Sequence, residues 1–336
     1  MTYFEQRAIK IEDDSNKISK EKLKTISDVY ESSEKTTIKL LDKLYAKYGI
    51  NGIVPIESQK QYINSDELKE FKKNINKYID EIKEIGEEYQ YSELIPFLDK
   101  VKIKRLESIY MQIKAEQNLL FTKYGNEATD CMSEVYEYSY NQTMYTIQNE
   151  TSLYYNFALV NNEMLEKVLS YENNGINFSE RIWGEHREKL FNDVQKSIAQ
   201  SMAIGNDYKA CIKGISERYN VSMSNATRLM NTEDSFYCNQ AVTDSYKEAG
   251  VDSYQYLATL DSDTSTICRN LDNKKFKVSD SVVGINYPPM HPNCRSTTIA
   301  DIGINYKERV MRDTKGKSVT TGYLTYEQWA EKYNVE

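Results

Sequence analysis

Three of the five prolines in this 336-residue chain fall in one stretch, Tyr287-Pro288-Pro289-Met290-His291-Pro292-Asn293-Cys294-Arg295. Proline fixes φ, lacks an N–H and drives its predecessor to extended backbone, so this stretch is non-helical and holds His291 and Cys294 on a stiff loop. Elsewhere prolines and glycines are scarce, which leaves long runs free to be helical.

From about Ser15 to Leu169 apolar residues recur at helical spacing. Leu40, Leu41, Leu44 and Tyr48 close one segment before Gly49, and Asn51, Gly52 and Pro55 break it. A second helix is expected from Ser65, with Ser65 and Leu68 bracketing its cap and Phe71, Ile75, Tyr78, Ile79, Ile82 and Ile85 forming one stripe. Further helical stretches carry Val101, Leu106, Ile109, Tyr110 and Ile113, then Ala128, Cys131, Val135 and Tyr138. The polar run 171–177 reads as a boundary. Beyond it, a stripe from Trp183 to Met202 ends at Gly205, a shorter helix holds Tyr208 to Tyr219, and a long one runs through Ala226 and Ala241 towards a left-handed cap at Gly250.

The pattern then changes period. Tyr254–Leu260, Lys275–Val278 and Ser296–Ile299 read as short strands. The expected fold class is α+β: a mostly helical N-terminal half, a further helical segment, and a small C-terminal unit of short strands. Three regions follow: a helical bundle or arm over 1–172, an α+β domain over 173–300, and a tail with a short terminal helix over 301–336.

Charge and composition narrow the function classes. A net charge of −8 argues against a nucleic-acid binder that relies on its global field. With 28 tyrosines the chain is too aromatic for a disordered one. No apolar run approaches the ~18 residues of a membrane span, and Met1–Arg7 lacks a signal-peptide hydrophobic region, so the chain is expected to stay in the compartment where it is made. Five scattered cysteines, an odd number, read as reduced thiols, with Cys131, Cys211 and Cys238 buried in helices.

Cys268, His291 and Cys294 offer the thiolate and imidazole donors that tetrahedral zinc prefers, with Asp263 or Asp261 as a fourth ligand, or water. Two other readings stay open. His291 caps its loop while the cysteines pack in a small core, or a cysteine and His291 form a nucleophilic pair. Asp261, Asp263 and Asp272 read as turn formers that receive backbone amides, and Asp261–Ser265 suits the start of a helical turn. Arg228, Thr232 and Glu233 share a helix face by spacing. His186 reads as a surface or boundary residue. The stretch 307–317 is locally basic and could meet DNA phosphates or an acidic partner.

Three ordered motifs resemble the head-morphogenesis or minor head protein family of tailed phages. They are Ala226-Thr227-Arg228-Leu229-Met230-Asn231-Thr232-Glu233, the run from Leu257 through Asp261 and Cys268 to Asp272, and the run from Gly284 through Pro289, His291, Cys294 and Arg295 to Thr298. The tail, Arg312-Asp313, Gly316-Lys317 and Leu324 to Trp329, is similar to that family's usual ending, and the resemblance spans about Phe178 to Tyr333. Many relatives carry a second cysteine where Ser265 stands and a glycine where Asn273 stands. The resemblance implies a low-copy protein, with no settled enzymatic activity, in the host cytoplasm during assembly and in the virion head interior, bound to portal, major capsid or scaffolding protein. It implies a role in procapsid assembly, DNA packaging or delivery. The alternative from the residues alone is a metal-assisted hydrolase or nuclease-like effector built on Cys268, His291 and Cys294.

Overall fold

The computed structural model describes residues 3–151, 158–173, 175–303, 308–312, 318–322 and 328. In chain order, α1 (Tyr3–Tyr48), α2 (Ile56–Lys60), α3 (Ser65–Ile85), α4 (Glu88–Ser92), α5 (Ile95–Leu98), α6 (Arg105–Thr151) and α7 (Asn162–Leu169) come first. The β1 (Glu172–Asn173) and β2 (Ile176–Asn177) hairpin, α8 (Phe178–Glu180), a π-helical turn (Arg181–His186), α9 (Arg187–Ile204) and α10 (Tyr208–Glu248) follow. The remaining elements are β3 (Ser253–Leu257), α11 (Thr266–Leu271), β4 (Lys275–Lys277), a 3-10 turn (Val278–Asp280), β5 (Thr297–Ala300), β6 (Glu308–Arg312) and β7 (Ser318–Gly322). The α+β class read from the sequence holds, with helices dominating and short antiparallel strands near the C-terminus.

Two compact units make up the chain: residues 1–21, 130–171 and 228–336 in one, and 22–129 with 172–227 in the other. The second unit is helical apart from the β1–β2 hairpin. Its α3 begins one residue earlier in function than the sequence reading put it: Asn64, not Ser65, is the N-cap. The Asn64 side chain accepts from the amides of Asp66 and Glu67, while Glu67 accepts from the Asn64 amide, a reciprocal capping box. Phe71, Ile75, Ile79 and Ile82 pack with Leu94, Ile103, Ala115 and Leu119. Each such large side chain taken from water contributes about 1.5–3 kcal/mol before entropy is charged against it. Val101, placed on a helical stripe from sequence, precedes α6 and is 76% exposed.

The expected break between helices at 219–226 is absent, and α10 runs unbroken over 41 residues. Ser222 is the reason. It is buried between Tyr219 and Ala226, filling the stripe with a hydroxyl that pairs with that of Tyr30 at 3.2 Å. No glycine or proline lies there to stop the helix. Similarly, α6 joins two stretches read as separate, because Asn118 and Thr122 are buried polar members of its packed face.

In the first unit β3 is the centre of a three-stranded antiparallel sheet of order β4-β3-β5. Tyr254 stands opposite both Phe276 and Ala300, and the sheet packs Tyr254, Val278, Tyr287 and Ala300 against Ile147, Val242 and Tyr246 of α6 and α10. The β6–β7 hairpin follows. Gly250 is left-handed, with φ 67°, just past α10 as its position implied. Arg309 and Arg312 of the basic stretch lie on β6; the rest of 307–317 falls largely outside the described residues, as does 324–329 apart from residue 328.

A candidate metal centre

Cys268 is placed by α11. Ser265 caps that helix, its hydroxyl accepting from the Cys268 amide at 3.3 Å, and the Arg269 side chain donates to the Thr264 carbonyl at 2.7 Å. Asp272, at the other end, accepts from the Ala258 amide at 2.9 Å, and Asn273 takes the turn with φ 64°. Asparagine tolerates this left-handed backbone, so the turn forms without glycine.

The proline-rich stretch is a loop between Tyr287 and Ser296, with a cis bond between Pro288 and Pro289. Its ends are tied inward, since the Tyr287 hydroxyl donates to the Asn239 carbonyl at 2.9 Å. Asn293, with φ 57°, turns the chain so that the Cys294 amide donates to the His291 carbonyl at 3.1 Å. The Asn293 amide donates to Thr232 Oγ1 at 3.1 Å, so the helix motif around Thr232 directly braces this loop.

These tethers bring the three ligand types together. Cys268 Sγ lies 3.3 Å from His291 Nε2 and 3.8 Å from Cys294 Sγ, and all three donor atoms lie within 4.8 Å of one another. His291 Nδ1 is 2.9 Å from the Pro292 carbonyl. A carbonyl only accepts, so Nδ1 donates here, which leaves Nε2, the nitrogen turned to the sulfurs, as the one available to bind a metal.

Both cysteines are buried, at 1% and 3% exposure, and His291 is partly exposed. The hydrogen bond from Cys294 lowers the Cys268 thiol despite the opposing effect of burial, and hydroxyls of Ser265, Ser296 and Tyr256 favour its thiolate further. The same bond, with burial, raises Cys294, so the pair readily surrenders one proton and resists losing the second. The Tyr256 hydroxyl reaches Cys268 Sγ at 3.3 Å. Sequence reasoning missed Tyr256 as a partner, because β3 is buried along nearly its whole length and its alternation does not reveal an inward face.

Neither aspartate joins the group. Asp261 is gripped by Arg295 and also accepts from the Asp263 amide and the Thr264 hydroxyl, the turn-forming role read from sequence. Asp263 is exposed. On α10, Arg228 is exposed and Glu233 buried, while the Thr232 hydroxyl donates to the Arg228 carbonyl at 2.8 Å. His186 lies in the π-helical turn of the second unit. Cys131, Cys211 and Cys238 are buried and outside any disulfide, as expected.

A polar cleft of about 390 Å³ adjoins the loop, lined by Ser15, Lys20, Asn231, Asp234, Cys294 and Arg295 among others. Asp234 is 2% exposed and accepts from the Ser19 hydroxyl at 2.7 Å. Burial pushes its carboxyl up to about 7, against the opposing pull of Ser19 and Lys20.

Residues 192–299 match the family model described as Phage Mu protein F like protein, and this segment holds most of α9, all of α10, the three-stranded sheet up to Ile299 and the whole Cys268, His291, Cys294 group. Over that segment the chain is similar to this phage family, in line with the resemblance carried by its motifs. No curated protein and no solved structure matches the chain. Among the described residues no helix is long and apolar enough to cross a membrane.

Proposed function

We propose that this protein is a minor head protein that binds portal, major capsid or scaffolding protein during procapsid assembly and supports DNA packaging or delivery. The match over residues 192–299 carries this reading. In this reading the protein acts in the host cytoplasm during assembly and is afterwards held inside the virion head. In this role the chain works by binding, with the helical scaffold offering docking surface and the α+β unit a compact knob.

The test is co-expression of the chain with the portal protein of the same phage or prophage, followed by purification through a tag on the portal. Retention of the chain in the portal fraction, together with a lower yield of DNA-filled heads when its gene is deleted, supports the reading. Two folded proteins that separate completely, with head yield unchanged on deletion, overturn it.

A further inference from the structure

We propose that Cys268, His291 and Cys294 bind one zinc ion and leave its fourth coordination position to solvent. This goes beyond the assembly role and does not depend on it.

The first argument is metric. Zinc sits about 2.3 Å from thiolate sulfur, and tetrahedral angles then set two sulfurs about 3.8 Å apart. Cys268 Sγ and Cys294 Sγ are 3.8 Å apart. The same geometry puts sulfur and imidazole nitrogen about 3.5 Å apart, and Cys268 Sγ and His291 Nε2 are separated by 3.3 Å. Two edges of a tetrahedral face are therefore already near their lengths, and the third pair of donors lies within 4.8 Å.

The second argument lies in the surroundings. Metal-bound histidines commonly donate their remote N–H to a carbonyl or carboxylate, which fixes the tautomer and aims the lone pair. His291 does this through Nδ1 and the Pro292 carbonyl. Buried thiolates need donors, and Cys268 Sγ receives the Tyr256 hydroxyl while the amides of Met290 and Ser296 serve Cys294. Two thiolates and an imidazole, drawn from α11 and a loop stiffened by prolines, select zinc over the oxygen-seeking magnesium and calcium.

The open position follows from what is already engaged. Among the described residues no fourth histidine, cysteine or carboxylate joins the group. Asp261 is occupied by Arg295, and the Ser265 hydroxyl caps α11. His291, partly exposed, marks the side from which water reaches the ion.

The experiment uses the full chain. Elemental analysis of protein purified without chelator is expected to give one zinc per chain, and cobalt exchanged into the site is expected to show intense tetrahedral d–d bands with sulfur-to-cobalt charge transfer. Adding azide or thiocyanate should then shift the d–d bands, because a small anion displaces the solvent ligand. Cys268→Ser/Cys294→Ser should lose the charge-transfer band. If that variant fails to fold, His291→Ala, altered at a partly exposed position, should keep the fold by circular dichroism and lose the tetrahedral bands. A folded wild-type chain that takes up neither zinc nor cobalt overturns the site. Cobalt spectra indifferent to both anions overturn the open fourth position.

Discussion

Arg295 holds Asp261 with both arms of its guanidinium, Nη1 to Oδ2 at 2.5 Å and Nη2 to Oδ1 at 2.9 Å. The pair joins the residue after Cys294 to the turn that precedes α11, so it sets the distance between the two segments that carry the sulfurs. Lysine cannot reproduce a two-point grip. Arg295→Lys is expected to destabilise the chain by about 1–2 kcal/mol and to weaken cobalt binding. Chemical denaturation and a cobalt titration check both effects.

Ser265 stands beside Cys268, where many members of the resembled family carry cysteine. Ser265→Cys is expected to supply the missing fourth ligand. Without metal the variant should be less stable than wild type by about 1 kcal/mol, because a helix cap is lost. In zinc the order should reverse, and the cobalt spectrum should stop responding to azide. Thermal melts with chelator and with zinc read out the reversal.

Asp234 makes stability depend on pH. Between its ordinary value near 4 and its native value of about 7, the folded carboxyl keeps a proton that the unfolded one has released. Stability contributed by this group is therefore full below about 4 and falls as pH rises through 7. Asp234→Asn keeps an acceptor for Ser19 and removes the titration. It is expected to stabilise the chain by roughly 2–4 kcal/mol at pH 8 relative to its effect at pH 4, measured by urea unfolding at both.

In the second unit, Arg187 links Glu93, Asn118 and Glu188, and its guanidinium lies 4.3 Å from the Trp183 ring centre. Burial raises the Glu93 carboxyl, but Lys114, Asn118 and Arg187 outweigh it and hold it below its usual range. Arg187→Met takes the guanidinium from Glu93, Asn118 and Glu188 while Lys114 stays 2.9 Å from Glu93, and should cost about 1–3 kcal/mol. Glu93→Gln leaves the more deeply buried Arg187 guanidinium, and Lys114 as well, without this carboxylate and should cost more, and the ranking of the two by denaturation is the test.

What was legible in the sequence depended on how directly a residue's chemistry showed its neighbours. The α3 stripe from Phe71 to Ile82 is unbroken and was readable, yet its cap was displaced by one residue because Asn64 and Ser65 are both capping types and only Glu67 at the right spacing chooses between them. The α10 seam was hidden by Ser222, a polar residue doing an apolar residue's packing. Cys268, His291 and Cys294 were visible because proline and ligand types coincide on one stretch. Tyr256 and Asp234 were not: one sits on a strand with little exposed face, and the other is a carboxylate on a long helix, where solvent is the ordinary surrounding.

The first unit closes only when distant parts of the chain meet, and the Ser19 to Asp234 hydrogen bond spans 215 residues. During synthesis Ser15 and Ser19 leave the ribosome long before the segment that gives Asp234 exists, and they wait in water meanwhile. A helical protein usually folds fast because its contacts are local; this one must postpone the pairing of its buried Asp234 until the 215 residues that separate it from Ser19 have been made.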